Sequence, residues 1–491
     1  MPLVPLTIPP GVHKNGTDLQ NAGRWNDANL VRWYEGGMQP VNGWRARTTS
    51  AFTGVCRALL TWTNNAGSRQ TAAGTESKLY FVSDANALSD ITPANFSAGI
   101  PSATQNLGWG ALTYGFDSYG IARPDSGSYT PATTWSLDSW GEYLLGCSNH
   151  DGKIYQWTLS PGTVAAVLSN APTSNTAIYV TDERFVFALG AGGVGNKVQW
   201  SDQEDNNLWA PATTNQAGSL TLQTAGNLIC AMGVRGQTLL FTDIDCHAAT
   251  YQGPPFVYGI KAVGSGCGIA SANAAATTDT AAFWMGKNSF FVYDGSVRSL
   301  PSDVGDYVFS DINVAQRSKV YAVKNSGHQE IWWFYPSSNS TENNRYVAYN
   351  YRENHWSIGS LARTAATDAG VFVYPNMVGT DNKIYEHEVG FDYDSATVFA
   401  ESGPIEIGTG DRLMVAKSLI PDEKTQGDVI AKFKTRLYPN ATESTHGPYT
   451  MANPTSVRFT GRQVEMRVEG NRGADWRVGT MRLDVAQGSR R

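Results

Sequence analysis

The stretch FWMGKNSFFVYDGSVRSLPSDV, residues Phe283 to Val304, decides the fold. Phe283 to Met285 reads as a strand, Gly286-Lys287-Asn288 as a turn, Ser289 to Tyr293 as a second strand, and Asp294-Gly295 as a turn into a third run. Phe, Trp, Val and Tyr fit a pleated, half-buried surface, and Asp-Gly supplies the positive φ of a tight hairpin. The stretch is therefore one blade-like antiparallel unit.

The same aromatic closing recurs along the chain. With Tyr80, Tyr155, Trp200, Tyr251, Tyr293, Tyr349 and Tyr385 as markers, the spacings are 75, 45, 51, 42, 56 and 36 residues. All but the first lie near the roughly 40–50 residues of a four-stranded propeller blade. The long first gap leaves room for a weak blade around Leu107 to Pro124, or for an insertion. The expectation is an all-β chain: an N-terminal extended arm and docking segment over residues 1–54, a β-propeller of six to eight blades over 55–395, and a small β-sandwich-like C-terminal domain over 396–491.

Composition agrees with many short strands and tight turns: 50 Gly, 22 Pro, 15 Trp and 22 Tyr, with only 16% charged residues. A net charge of -6 does not suit a nucleic-acid coat or a polybasic membrane binder. Five cysteines, an odd number without CxxC spacing, read as small buried side chains and argue against a disulfide framework or zinc site. MPLVPLTIPP lacks the basic and apolar regions of a secretory signal, and no 18-residue apolar run exists, so membrane insertion is not expected. A soluble product of cytoplasmic synthesis is expected.

Both ends of the chain carry candidate interface residues. In GRWNDANLVRWYEGGMQPVNGW, Trp25, Trp33 and Trp44 alternate with Arg24 and Arg32, and a guanidinium on an indole suits anchoring. Such an arm either packs on its own chain or docks on a neighbouring subunit. At the other end, Val464, Met466 and Val468 share one face of a strand while Glu465, Arg467 and Glu469 share the other. From Arg458 onward eight Arg stand against four acids, so this end is +4 and the rest of the chain -10. Cross-strand charge pairs on the wet face of a sandwich explain that pattern, and a basic docking surface is the alternative. Arg462, Arg467, Arg472, Trp476 and Arg477 complete the candidate interface.

Catalytic constellations are weak. Asp202, Glu204 and Asp205 between Trp200 and Trp209 do not match calcium-loop spacing and read as a solvated acidic loop. Asp243, Asp245 and His247 share a face of an extended segment and admit a metal, but a structural strip is favoured. GAGGVGNK (190–197) leads into a strand and reads as a hairpin turn, and neither a G-x-S-x-G elbow nor a P-loop is present. No enzyme activity, cofactor or metal is expected. The LPSDVGDYVF loop (300–309) is the segment to test for contact with another subunit.

In their order along the chain, WSDQEDNNLW, AGSLTL, RGQTLLFTD, YQGPPFVYG, the opening stretch, EIWWFYPS, YNYRENHWSIG and the closing DWRVGTMRLDV resemble the tail hub or nozzle proteins of short-tailed bacteriophages. These are the packaged-DNA stabilisation and tail tubular protein B type proteins. The resemblance implies a virion protein of the phage tail, a hexameric ring below the portal and adaptor that prolongs the DNA channel. It also implies retention of the packaged genome until ejection and attachment sites for a tail fibre, spike or tip protein. Genomic DNA would pass without sequence-specific binding. The other reading of the aromatic and carboxylate-bearing loops is a carbohydrate-binding or carbohydrate-cleaving β-propeller.

Overall fold

The computed structural model describes residues 3–105, 129–160, 162–406, 412–471 and 473–489. The weak blade sought around Leu107 to Pro124 lies outside the described residues. Seven four-stranded antiparallel sheets follow one another. Their first strands are Cys56–Thr63, Trp135–Trp140, Ala177–Val180, Leu228–Val234, Ala275–Thr277, Tyr321–Asn325 and Arg363–Thr367. Each lies beside the next and the last lies beside the first, which closes a seven-bladed β-propeller.

Every aromatic marker sits on the third strand of its blade. These strands are Leu79–Val82, Ile154–Trp157, Lys197–Trp200, Asp245–Gly253, Phe290–Tyr293, Arg345–Asn350 and Ile384–His387. The spacings measured one recurring strand, and loop length together with position along that strand supplied the scatter. Between blades 1 and 2 the long gap holds a short pair, Thr104–Gln105 with Tyr129–Thr130, on either side of residues 106–128.

The opening stretch forms strands Ala282–Met285, Phe290–Tyr293 and Val297–Leu300 of blade 5. Gly295 takes φ 123° in the Asp-Gly turn, a conformation that side-chain-bearing residues rarely adopt. Trp284 is fully buried, and Phe290 packs its ring 5.0 Å from Trp333 and 4.7 Å from Trp356, joining blades 5 and 6 through apolar contact. The following LPSDVGDYVF segment differs from the expected loop: it enters a short helix, Gly305–Asp311. It is also met by the chain's own N-terminal residues, since the Lys14 and Asn15 amides donate to the Asp303 carbonyl at 2.8 and 3.1 Å.

Blade 7 is completed from far away in sequence. Trp44–Ala46 pairs antiparallel with Ile384–His387, so the N-terminal segment supplies the fourth strand that latches the ring. The same segment enters both layers of a terminal β-sandwich. Leu3–Leu6 is an edge of the sheet ordered Leu3–Leu6, Met481–Gln487, Met414–Ile420, Thr455–Gly461. Trp25–Asn29 is an edge of the second sheet, followed by Val398–Ser402, Gln463–Gly470, Val429–Arg436 and Ser444–Thr450.

Inward-facing Val464, Met466, Val468, Leu483 and Val485 fill the space between the layers. Trp476 seats against Gly470, where an added Cβ would fall 1.9 Å from the indole nitrogen. Trp25–Asn29 in turn lies against His355–Gly359, the outer strand of blade 6, which sets the sandwich on the rim of the propeller.

Candidate functional site

Arg32 sits in the strand Val31–Tyr34 and is 1% exposed. Its guanidinium donates to Glu330 of blade 6 at 3.2 and 3.0 Å and to Glu388, just past the third strand of blade 7, at 2.9 and 2.6 Å. Asn325 donates to Glu388 at 2.8 Å, the Trp332 indole donates to Glu330 at 2.8 Å, and the His328 ring lies 3.3 Å from Glu388. Burial opposes the charge on Arg32, but the two carboxylates outweigh it and hold the guanidinium pKa above its ordinary value. Burial likewise opposes ionisation of Glu388, and Arg32 and His328 overcome it, so its carboxyl lies well below the usual carboxylate range. One arm residue thereby binds two blades together in a planar fork geometry that lysine could not reproduce.

The neighbouring residue faces a different partner. His387 accepts from Arg363 Nε at 2.8 Å, and the Arg363 guanidinium lies 4.9 Å from the Trp44 ring centre and 5.1 Å from that of Tyr385. Trp44 stacks on His387 at 5.4 Å and donates to Asp394 at 2.6 Å. With rings in place of a carboxylate, burial drives the Arg363 pKa down to about 10. Burial and the adjacent Arg363 push His387 well below the ordinary histidine value.

The candidate interface residues divide accordingly. Trp25, Trp33, Trp44 and Trp476 are 5%, 2%, 8% and 0% exposed and pack within this chain. Trp25 and Trp33 meet at 5.9 Å between ring centres. Arg467 lies 3.5 Å from the centre of the Phe399 ring and bonds Glu401 at 3.0 Å and Glu469 at 2.6 Å. Arg462 lies 5.2 Å from the Tyr438 ring centre, Arg477 is exposed, and Arg472 lies outside the described residues.

The sandwich's two outer faces differ in charge chemistry. On the sheet carrying Gln463–Gly470, Lys432 bonds Glu469 at 2.7 Å, Lys434 bonds Glu401 at 2.5 Å, and Arg436 lies 3.3 Å from Glu465. These cross-strand pairs form a continuous ladder. On the other sheet, Lys417, Arg458 and Arg482 are exposed and carry no ion pair among the described residues. The sequence counts Arg458 and Arg482 in the terminal charge, but that they share a face with Lys417 follows from strand order, which only the folded sheet shows.

The propeller axis holds a 390 Å³ cavity between the first strands, lined by Leu59, Leu137, Tyr179, Met232 and Tyr321, with Asp138 as its carboxylate. Asp138 accepts from the amides of Ser139 and Val180, each at 2.8 Å, so it bridges blade 2 to blade 3. Burial nevertheless lifts its pKa to about 6. A second cavity of 570 Å³ opens beside the ring's inner strands, where Arg317 and Lys287 line a wall otherwise built from residues such as Ile229, Ile269 and Val314.

The loop carboxylates are occupied locally. Asp202 accepts from the amides of Gln203 and Gln216 at 2.9 and 2.8 Å, Glu204 pairs with Arg184 at 3.2 Å, and Asp205 caps the Asn207 amide at 2.9 Å. Asp245 is held by Thr224, Thr242 and His247 at 2.6, 2.5 and 3.1 Å, while Asp243 accepts from the Asn227 amide at 2.7 Å. Among the described residues no group of three His, Cys, Asp or Glu side chains is arranged to hold a metal ion. All five cysteines are buried and free. Among the described residues no helix is long and apolar enough to cross a membrane.

No protein-family model and no curated protein matches the chain. Among solved structures it is similar to a streptogramin B lyase, at 9% identity over 70% of this chain and 96% of that one, with a TM-score of 0.43. It is also similar to the β-propeller domain of Cps50 (Swd1) from Myceliophteria thermophila, at 9% identity over 70% and 99%, TM-score 0.40. BamB from Moraxella catarrhalis gives 10% identity over 72% and 95%, TM-score 0.40. These likenesses concern the propeller fold alone.

Proposed function

We propose that this chain is a structural virion protein of a bacteriophage tail, a tail hub or nozzle subunit that assembles into a homohexameric ring. In this reading the ring prolongs the DNA channel below the portal and adaptor and retains packaged DNA. It also presents attachment surfaces to a tail fibre, spike or tip protein. The sequence resemblance brings the reading to this family, and one structural observation carries it: the way the chain's two ends are tied into the propeller. Leu3–Leu6 and Trp25–Asn29 each enter a different sheet of the sandwich, Trp44–Ala46 latches blade 7, and Arg32 binds blades 6 and 7 through two carboxylates.

A subunit that must hold its shape against a pressurised genome gains from such a tie, because local opening of the N-terminal arm would have to disrupt sheet pairing and a buried ionic cluster together. DNA would run between subunits, since the axial cavity of 390 Å³ is lined by side chains of the inner strands. An enzyme activity forms no part of the proposal.

The test is particle mass joined to a retention assay. Purified chain examined by mass photometry and negative-stain imaging is expected to form rings of roughly 320 kDa, six copies in closed cyclic symmetry. Added to DNA-filled capsids that carry the adaptor but no tail, it is expected to reduce nuclease-accessible DNA. Persistence of a monomer both free and with those capsids overturns the reading. Binding of a glycan array by the monomer would instead favour a carbohydrate-recognising propeller.

A further inference from the structure

We infer that the outer face of the sheet Met481–Gln487, Met414–Ile420 and Thr455–Gly461 docks on an acidic rim of a second copy of this chain, around blade 3. The inference rests on the ring assembly proposed above and names the surfaces that would make it.

The sandwich provides its own internal comparison. Where Lys432, Lys434, Arg436 and Arg467 project from one sheet, each is met by a glutamate. Where Lys417, Arg458 and Arg482 project from the other, no carboxylate pairs with any of them among the described residues. Asp484 shares that sheet, and its Oδ1 is buried without a hydrogen-bond partner. The half-buried Val415 and Ile420 lie on the same strands, so the face combines unpaired cations with apolar area. That combination suits a partner able to cover carbon and supply carboxylates.

A second copy fits the charge balance. The chain before Arg458 carries -10 against the +4 that follows. On the propeller, exposed Asp182, Glu204 and Asp205 and half-buried Glu183 gather at neighbouring turns of blade 3. Arg184 is the cation at those turns, already paired with Glu204 and lying 4.5 Å from the Trp140 ring centre.

Position agrees with charge. The sandwich rests against blade 6 and the acidic turns belong to blade 3, three blades around a ring of seven, which places the two surfaces on nearly opposite sides of the subunit. Contact between two copies of the cationic face would set like charges against one another, which disfavours a two-fold dimer. A contact between different surfaces is heterologous, and a heterologous contact closes into a ring when its rotation permits.

The experiment compares wild type with two charge-reversed forms by mass photometry: Lys417→Glu/Arg458→Glu/Arg482→Glu, and Glu183→Lys/Glu204→Lys/Asp205→Lys. Circular dichroism and melting temperature check that each remains folded. Each variant alone is expected to lose the ring species, and an equimolar mixture is expected to regain it, because every contact in an alternating ring is then again between opposite charges. Raising salt from about 0.05 to about 0.5 M is expected to weaken the wild-type ring, as for partly exposed charges. Rings that form undiminished in both variants overturn this inference and leave the ring reading standing. A wild-type chain that stays monomeric in every condition overturns both.

Discussion

Arg32 and Arg363 are two buried guanidiniums held by adjacent residues, Glu388 and His387, and they are held in opposite ways. Arg32 has two carboxylates and four hydrogen bonds to them, and its charge is strongly favoured. Arg363 has an imidazole, a backbone carbonyl and two aromatic faces, and its Nη2 finds no hydrogen-bond partner. The first arrangement joins three distant segments of chain. The second packs a strand, Trp44–Ala46, that is already fixed by its ladder to blade 7. Between these two sites, the ionic hold falls on Val31–Tyr34, which pairs with Gly37–Pro40 and not with a blade, and ring contact suffices where backbone pairing to blade 7 does the holding.

The sharpest way to break that comparison is to remove each guanidinium in turn. Arg32→Met leaves Glu330 and Glu388 buried without their cation, and the expected loss is about 3–5 kcal/mol in urea unfolding. Arg363→Met removes a charge that its surroundings disfavour and keeps an unbranched apolar stem between Trp44 and Tyr385, so a change within about 1 kcal/mol is expected. Equal losses in the two variants would show that the carboxylates contribute nothing special at the arm. Restoring part of the Arg32→Met loss with Glu388→Gln would locate the damage in uncompensated negative charge.

Much of this arrangement could not be read in the sequence. The seven aromatic markers were visible because each falls in the third strand of its blade. The alternation of Val464, Met466 and Val468 with Glu465, Arg467 and Glu469 was equally legible, since a strand exposes and buries by turns. The latch Trp44–Ala46 was not, because three residues carry no usable period and their partner lies more than 300 positions away. Arg32 beside Trp33 fitted an arm packed on its own chain as well as one docked on a neighbour, since its carboxylates come from blades 6 and 7. The helix Gly305–Asp311 is too short for its periodicity to stand out from a loop.

Acid provides the next test of the same pair. The folded pKa of His387 is depressed, so its contribution to stability is present above the unfolded value near 6.5 and is lost as pH falls below it. Glu388 is depressed as well, so its contribution is present above an unfolded value near 4.5 and is lost as pH falls further. Stability is therefore expected to decline first from about pH 6.5 and again from about pH 4.5. His387→Gln, which keeps an acceptor for Arg363, should flatten the first decline and leave the second unchanged. A wild-type profile flat between pH 7 and 5 would show that His387 takes up its proton without cost.

The smallest expected effect concerns a carboxylate placed away from any guanidinium. Asp138 bridges blades 2 and 3 through two amide donors, yet burial raises its pKa to about 6. The sign is opposite to that of Glu388. A folded pKa above the unfolded 3.8 means a contribution fully present below about pH 3.8 and lost as pH rises through about 6. Asp138→Asn keeps an oxygen acceptor and removes the charge. It is expected to raise stability at pH 8, by on the order of 1 kcal/mol once solvent in the axial cavity is allowed for, and to lose that advantage by pH 4. Melting curves at the two pH values decide the matter. A variant less stable than wild type at pH 8 would mean that the ionised carboxylate's two amide bonds outweigh its desolvation, and that the inner ring, like the arm, is held by charge.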